Sequence, residues 1–255
     1  MTETRRILDL LAVGEPFCLI TIIASGREGL GVGRKALVQA GGKAVPEDFP
    51  DDFPAALKDL GLKALEEKQS RLVEVEPGVR AFLDIFSAEA ALLICGAGHI
   101  AVPLALFARE AGFRVTVLDD RPDFTSRERF PGCEVIAEDF TAALGKMPFG
   151  PSAYAVVITR GHEHDTECLA EILPKVTAYT GLIGSRRRVG FVLEMLLKKG
   201  ISRERLDEVF TPIGIPIGSE SPEEIALSIA AELVCVRRRG APAARALRAA
   251  AGGAK

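Results

Sequence analysis

A chain of 255 residues with 48% hydrophobic side chains has enough apolar material for two modest domains, each with its own core. Its 32 basic and 35 acidic residues leave a net charge of −3, so no global field draws it to nucleic acid or to an anionic membrane. The apolar runs are of strand length, short of the roughly 20 residues of a membrane span. The five cysteines are scattered and without C-x-x-C spacing, which argues for a reducing, cytoplasmic setting and against a structural zinc site.

Ile7 to Val13 is too short and too amphipathic for a secretory segment and predicts a first helix. Phe17 to Ala24 reads as a buried strand and Lys35 to Gln39 as a second, on either side of a Gly-rich loop from Gly26 to Gly33. An acidic, Pro-punctuated stretch from Pro46 to Pro54 leads into a helical pattern from Ala55 to Lys68, and Arg71 to Glu76 returns as a strand. Residues 1–87 are therefore expected to form a small α+β domain. Composition shifts at Glu76-Pro77-Gly78 and at Ser87-Ala88-Glu89 put the boundary within 76–89.

From 88 to 239 the patterns alternate: strands at 90–95, 114–118, 133–137, 153–159 and 178–183, with helices at 99–111, 139–145, 164–175 and 185–199. Continuous apolar strands separated by amphipathic helices are the mark of a parallel sheet covered on both faces. The expectation is an α/β, Rossmann-like, doubly wound parallel sheet with ligands beyond the carboxyl ends of its strands. Pro222 to Arg238 predicts a last helix, capped by Ser221, with Glu223 and Glu224 favouring its dipole. The Ala/Gly/Arg-rich residues 240–255 read as a flexible tail.

Gly96-Ala97-Gly98-His99-Ile100-Ala101 places G-x-G-x-x-A between a predicted strand and a predicted helix, the context that gives a glycine pattern meaning. Gly96 permits the tight turn, Gly98 lets backbone approach an anion, and phosphate would sit at the helix N-terminus. Asp119 ends the second strand where an acid is expected to hold a ribose hydroxyl, and Arg121 close by could neutralise a phosphate instead.

All three histidines, His99, His162 and His164, follow predicted strands on the same edge of the sheet. His99 could bond a ligand or cap its helix. Arg160-Gly-His-Glu-His-Asp165 offers two imidazoles and two carboxylates, open to ligand hydrogen bonding, acid/base work, helix capping by Asp165, or metal binding. H-x-H without a second cluster is a weak metal signal, and no metal site is assigned. Gly184-Ser185-Arg186 opens a helix with three arginines in its first turn, an awkward place for cations unless they serve an anion. Thr211 to Gly218 has the Gly/Pro spacing of an ordered apolar loop lying near the same edge, which packing alone would explain.

Ile94-Cys-Gly-Ala-Gly-His99, Val117-Leu-Asp-Asp-Arg-Pro122, Thr159-Arg-Gly-His-Glu-His-Asp165, Tyr179-Thr-Gly-Leu-Ile-Gly-Ser-Arg-Arg-Arg188 and Pro212-Ile-Gly-Ile-Pro-Ile-Gly218 together resemble the XdhC/CoxI family, accessory proteins of xanthine dehydrogenase and related molybdenum hydroxylases. The resemblance implies a maturation chaperone. Such a protein binds molybdenum cofactor, as molybdopterin or its dinucleotide, assists its sulfuration and delivers it to an apo-hydroxylase. A cysteine desulfurase is a further expected partner, and a homodimer is conceivable. The implied cofactor-binding set is Gly96, Gly98, His99, Ile100, Asp119, Arg121, His162, His164, Asp165, Gly184, Ser185 and Arg186. An NAD(P)-dependent oxidoreductase is the alternative that the glycine turn alone leaves open. Where family members continue with a Ser-Gly-Gly-Cys-Val-Glu-like motif, this chain has Gly41-Gly-Lys-Ala-Val-Pro, without the cysteine.

Overall fold

A computed structural model describes residues 3–13, 16–39, 41–42, 44–46, 53–67, 69–86 and 89–252. Contacts separate the chain into two units, Met1–Ala88 and Glu89–Lys255.

The first unit runs α1 (Glu3–Val13), β1 (Phe17–Ser25), β2 (Lys35–Gln39), β3 (Ala44–Pro46), α2 (Phe53–Glu67), β4 (Arg71–Glu76) and β5 (Val79–Phe86). The strands form an antiparallel sheet in the order β3-β2-β1-β5-β4. Period-two alternation sends Cys18, Ile20 and Ile22 of β1, with Ala81 and Leu83 of β5, into one core beside Leu57 and Ala64 of α2. Phe17 and Leu37 pack with Leu10 of α1 in a second cluster. Residues 47–52 of the expected acidic stretch, and 87–88 of the expected boundary, lie outside the described residues.

The division after Ala88 lies at the far end of the expected interval 76–89, and strand β5, not expected from the sequence, fills most of that interval. Pro77 and Gly78 form a hairpin turn, with Gly78 at φ +80°, and the strand that follows pairs with both β4 and β1. Val79, Ala81 and Leu83 alternate inward between exposed Arg80 and Phe82. The composition shift at 76–78 marks a turn inside the first unit.

The second unit contains β6 (Ala91–Cys95), α3 (Ala101–Glu110), β7 (Arg114–Asp119), β8 (Glu134–Ala137), α4 (Phe140–Lys146), β9 (Ala153–Val157), α5 (His162–Ile172), β10 (Tyr179–Leu182), α6 (Arg186–Lys198), α7 (Arg203–Asp207) and α8 (Pro222–Gly252). All its strand pairs are parallel, in the order β10-β9-β6-β7-β8. This is a Rossmann-like sheet, and its winding reverses between β6 and β9, the switch point where such sheets bind ligands. Phe210 bridges to Gly181 in parallel beyond β10, the start of a sixth position. Leu92 and Ile94 face a core with α3 and α8, whereas Leu93 and Cys95 face one with α4, α5 and α6. Both faces are buried, which is why these strands read as unbroken apolar runs.

Ser221 and Glu224 close the start of α8 reciprocally: Ser221 Oγ accepts from Glu224 N–H at 3.2 Å, and Glu224 Oε2 accepts from Ser221 N–H at 3.1 Å. The flexible tail expected from residue 240 is, through Gly252, helical instead. The axis breaks at Gly240 (φ 80°) and resumes with Pro242 in its next turn, where a missing N–H costs little. Ala244 is buried and the Arg245 guanidinium lies 4.3 Å over the Phe210 ring. Composition hid this because the anchors are distant in sequence. Among the described residues no helix is long and apolar enough to cross a membrane.

Candidate functional site

The carboxyl ends of β6, β7, β9 and β10 bring the predicted site residues to one edge. Gly96 has φ +108°, and a Cβ there would stand 2.6 Å from the Ile158 carbonyl oxygen. Only glycine lets the end of β6 lie this close to the end of β9. At Gly98 a Cβ would meet nothing within 4 Å, so the space above it is open. Ile100 precedes α3 without a side-chain cap. The N–H groups of Gly98, His99, Ile100 and Val102 reach no acceptor among the described residues, whereas Ala101 N–H turns back to Gly98 O at 3.2 Å. His99 is exposed beside them. Free amides at the positive end of a helix form a cradle for an anion the size of a phosphate.

Asp119 corrects the expectation that it meets a ribose. Its side chain is 1% exposed. One oxygen accepts from Ala97 N–H at 2.8 Å and from Arg121 Nη2 at 2.9 Å; the other accepts from the Arg121 N–H at 3.0 Å and from Arg121 Nε at 2.8 Å. Burial pushes this carboxyl up, but the bonds from Arg121 and Ala97 outweigh it and hold it below its ordinary value. Asp119 therefore fixes the glycine turn from beneath. Arg121, which could have met a phosphate, is bound to Asp119 and lies 3.7 Å over the Phe124 ring.

The next acid faces outward. Asp120 takes a two-point ion pair from Arg160, at 2.5 and 2.7 Å, and that guanidinium holds its carboxyl down to about 2. Asp120 follows β7 and Arg160 follows β9, the two strands that flank β6. Their bridge thus spans the carboxyl end of the central strand, next to the glycine turn.

The histidine loop separates into distinct roles. Asp165 is fully buried; it accepts from Thr159 Oγ1 at 2.6 Å and pairs with Arg188 Nη2 at 2.5 Å, and the same guanidinium reaches Thr159 O at 3.0 Å. Asp165 thus ties α6 to the end of β9 and presents nothing to a ligand, nor does it cap α5, whose N-cap residue is Gly161. His164 is half-buried, with Nδ1 3.0 Å from Glu167 and its ring against Phe140. His162 is exposed and stands edge-on to Phe191 of α6 at 4.9 Å. The two imidazoles turn to different neighbours. At the next strand end Ser185 caps α6, accepting from Arg188 N–H at 3.3 Å, and Arg186 is exposed.

Residues 92–233 match the model of the XdhC Rossmann domain. The chain belongs to the XdhC family. It is 27% identical over 238 residues to an uncharacterized Escherichia coli protein, YqeB, covering 87% of this chain and 44% of that one. It is 34% identical over 149 residues to a protein of Bacillus subtilis described as a probable xanthine dehydrogenase subunit, covering 58% and 43%. The chain thus spans less than half the length of these curated relatives. A crystal structure of a xanthine dehydrogenase from Bacillus halodurans superposes with a TM-score of 0.66 and 26% identity, over 92% of this chain and 66% of that one.

This XdhC chain has a second wall on the same edge, formed by the ordered loop that the Gly/Pro spacing of Thr211 to Gly218 predicted; the side chain that holds the loop is what the sequence did not disclose. Ile213 N–H donates to Leu182 O at 3.2 Å, so the loop Thr211–Gly218 continues from the end of β10. Glu232 of α8, fully buried, accepts from Gly214 N–H at 3.1 Å and from the Tyr179 hydroxyl at 2.5 Å, and lies 3.2 Å from Arg248 Nε. Burial and the Glu232 carboxylate push the Tyr179 phenol well above its ordinary value, so it stays protonated and donates. Gly214, at φ +94°, has no room for a Cβ, which would stand 2.4 Å from Ser228 Oγ. The advance signal for Glu232 was an acid set in an apolar helical face, since a charge is rarely fully buried unless paired.

Proposed function

We propose that this chain is a maturation factor that binds molybdenum cofactor along the strand-end edge, assists its sulfuration and delivers it to a xanthine dehydrogenase-type apo-enzyme. One observation carries the reading: free amides at Gly98, His99, Ile100 and Val102 sit on a turn that buried Asp119 locks from below. A preformed row of donors fits the terminal phosphate of molybdopterin, or the pyrophosphate of its dinucleotide form. Family membership, and relatives named for xanthine dehydrogenase, support that cofactor over other phosphates.

In this reading Gly98, His99 and Ile100 bind the phosphate, and Arg160 supplies a cation beside them. His162 and Arg186 extend the edge toward β10. The bound group supplies the metal-centred redox chemistry of the hydroxylase; this chain holds and orients it. None of the five cysteines is exposed, so the sulfur is expected to come from a cysteine desulfurase partner rather than through a thiol of this chain. The nicotinamide dinucleotide reading ranks second because Asp119, the acid its ribose would need, has both oxygens occupied.

The test is co-expression of a molybdenum hydroxylase with and without this protein. Higher hydroxylase activity with it, together with molybdopterin identified by mass spectrometry in the purified chain, is the expected outcome. Equal hydroxylase activity in both cultures would overturn the reading.

A further inference from the structure

The loop from Thr211, the start of α6 and the last turns of α8 enclose a cavity of about 570 Å³. Its size falls within the range of small-molecule sites. Three guanidiniums line it, from Arg186, Arg245 and Arg248, and no acidic side chain among the described residues does. Ile213, Ile215 and Pro216 supply apolar surface between them.

Among the described residues only one of these three cations is paired with a carboxylate. Arg248 is paired with Glu232 beneath the loop, whereas among the described residues Arg245 meets the Glu208 carbonyl at 2.6 Å and the Phe210 ring, and no carboxylate. Arg186 has no partner among the described residues. Arg186 and Arg245 are both exposed, so water screens their mutual repulsion, and an anion between them would be held by two guanidiniums at once. Arg186 also stands in the first turn of α6, where a cation is unfavourable. The walls are rigid as well as charged. Buried Glu232 and Tyr179 hold the loop through the Gly214 amide, and buried Thr211 Oγ1 finds no protein partner among the described residues. A buried carboxylate and a buried phenol committed to one loop conformation fix the loop wall of the cavity, and Glu232 fixes Arg248 beside it.

We propose that this cavity is a second anion subsite, which takes the phosphate-bearing end of a small organic molecule. The arginines hold the phosphate, and Ile213, Ile215 and Pro216 pack on the organic part. The site lies at the end of β10, two strands from β6, or roughly 10 Å along the edge from the glycine turn at the usual spacing of strands. It stands whether or not the glycine turn holds molybdopterin. If that turn does, the spacing favours a dinucleotide form whose two ends occupy both sites.

The full chain, labelled at its isoleucine methyl groups, is titrated with CMP and, separately, with inorganic pyrophosphate. Saturable shifts of the Ile213 and Ile215 methyls by CMP are expected, weakened roughly tenfold in Arg186→Gln and in Arg245→Gln. Both variants should keep the wild-type spectrum elsewhere, since neither side chain pairs with a buried acid. A response to pyrophosphate alone would mean that the site binds the anion without an organic group and would overturn the organic part of the proposal. Unmoved Ile213 and Ile215 methyls at millimolar probe, or equal affinity in both variants, would overturn the site itself. Neither outcome bears on hydroxylase activation, so this proposal and the proposed function can fail separately.

Discussion

The two walls of the strand-end edge are each held by one buried carboxylate, but by different routes. Asp119 reaches the glycine turn from the next strand of the sheet and bonds Ala97 N–H. Glu232 reaches the Thr211–Gly218 loop from the middle of a helix and bonds Gly214 N–H. Each carboxylate also pairs with an arginine, Arg121 in the first case and Arg248 in the second. The sheet fixes the first contact by register, so its residues recur at a set spacing. Only tertiary packing fixes the second: Gly/Pro spacing marks the loop, but no spacing points to Glu232 as its anchor.

The largest way to break this comparison is to remove the acids. Glu232→Ala strands the Tyr179 hydroxyl, the Gly214 amide and Arg248, and should destabilise the fold by about 3–5 kcal/mol. Asp119→Ala leaves Arg121 with access to water, its side chain being 31% exposed, and should cost about 1–3 kcal/mol. Urea unfolding of both variants checks the order; equal losses would mean that the two walls are held alike.

A finer test separates the two glycines of the first wall. Gly96→Ala forces a Cβ against the Ile158 carbonyl at positive φ and should cost about 1–3 kcal/mol or more. Gly98→Ala meets no atom within 4 Å and should change the unfolding midpoint little while weakening phosphate binding. Loss of stability in Gly98→Ala comparable to that in Gly96→Ala would remove the distinction between the packing glycine and the binding glycine.

The smallest effect is in pH. The Asp120 carboxyl is held down to about 2 by Arg160, against an unfolded value of about 3.9. A depressed carboxyl contributes stability above the unfolded value and loses it as pH falls. The Arg160–Asp120 bridge should therefore add stability above about pH 4 and lose it between about pH 4 and pH 2. Asp120→Asn should flatten the dependence of the urea midpoint in that window; an unchanged slope would show that the bridge contributes nothing.

What was legible in the sequence was local. The glycine turn, the parallel strands and the Ser221 cap are encoded within a few residues of where they act. Position was legible for Asp119 and Asp165, but direction was not: both were expected to face a ligand, and both are turned inward to guanidiniums of other elements. Strand β5 was missed because a turn signal inside a hairpin looks the same as a linker. Arg245 and Arg248 were missed because an Ala/Arg-rich stretch reveals its packing only through Phe210 and Glu232, which lie elsewhere in the sequence.

The break at Gly240 has a practical consequence for anyone cutting this chain. A fragment ending at residue 239 would retain every strand of the parallel sheet and the whole matched segment 92–233. It would nevertheless leave Glu232 without its cation and strip two of the three guanidiniums from the cavity. Such a truncation would look like a complete domain by its sheet while lacking the anchors of one of the two walls at its strand-end edge.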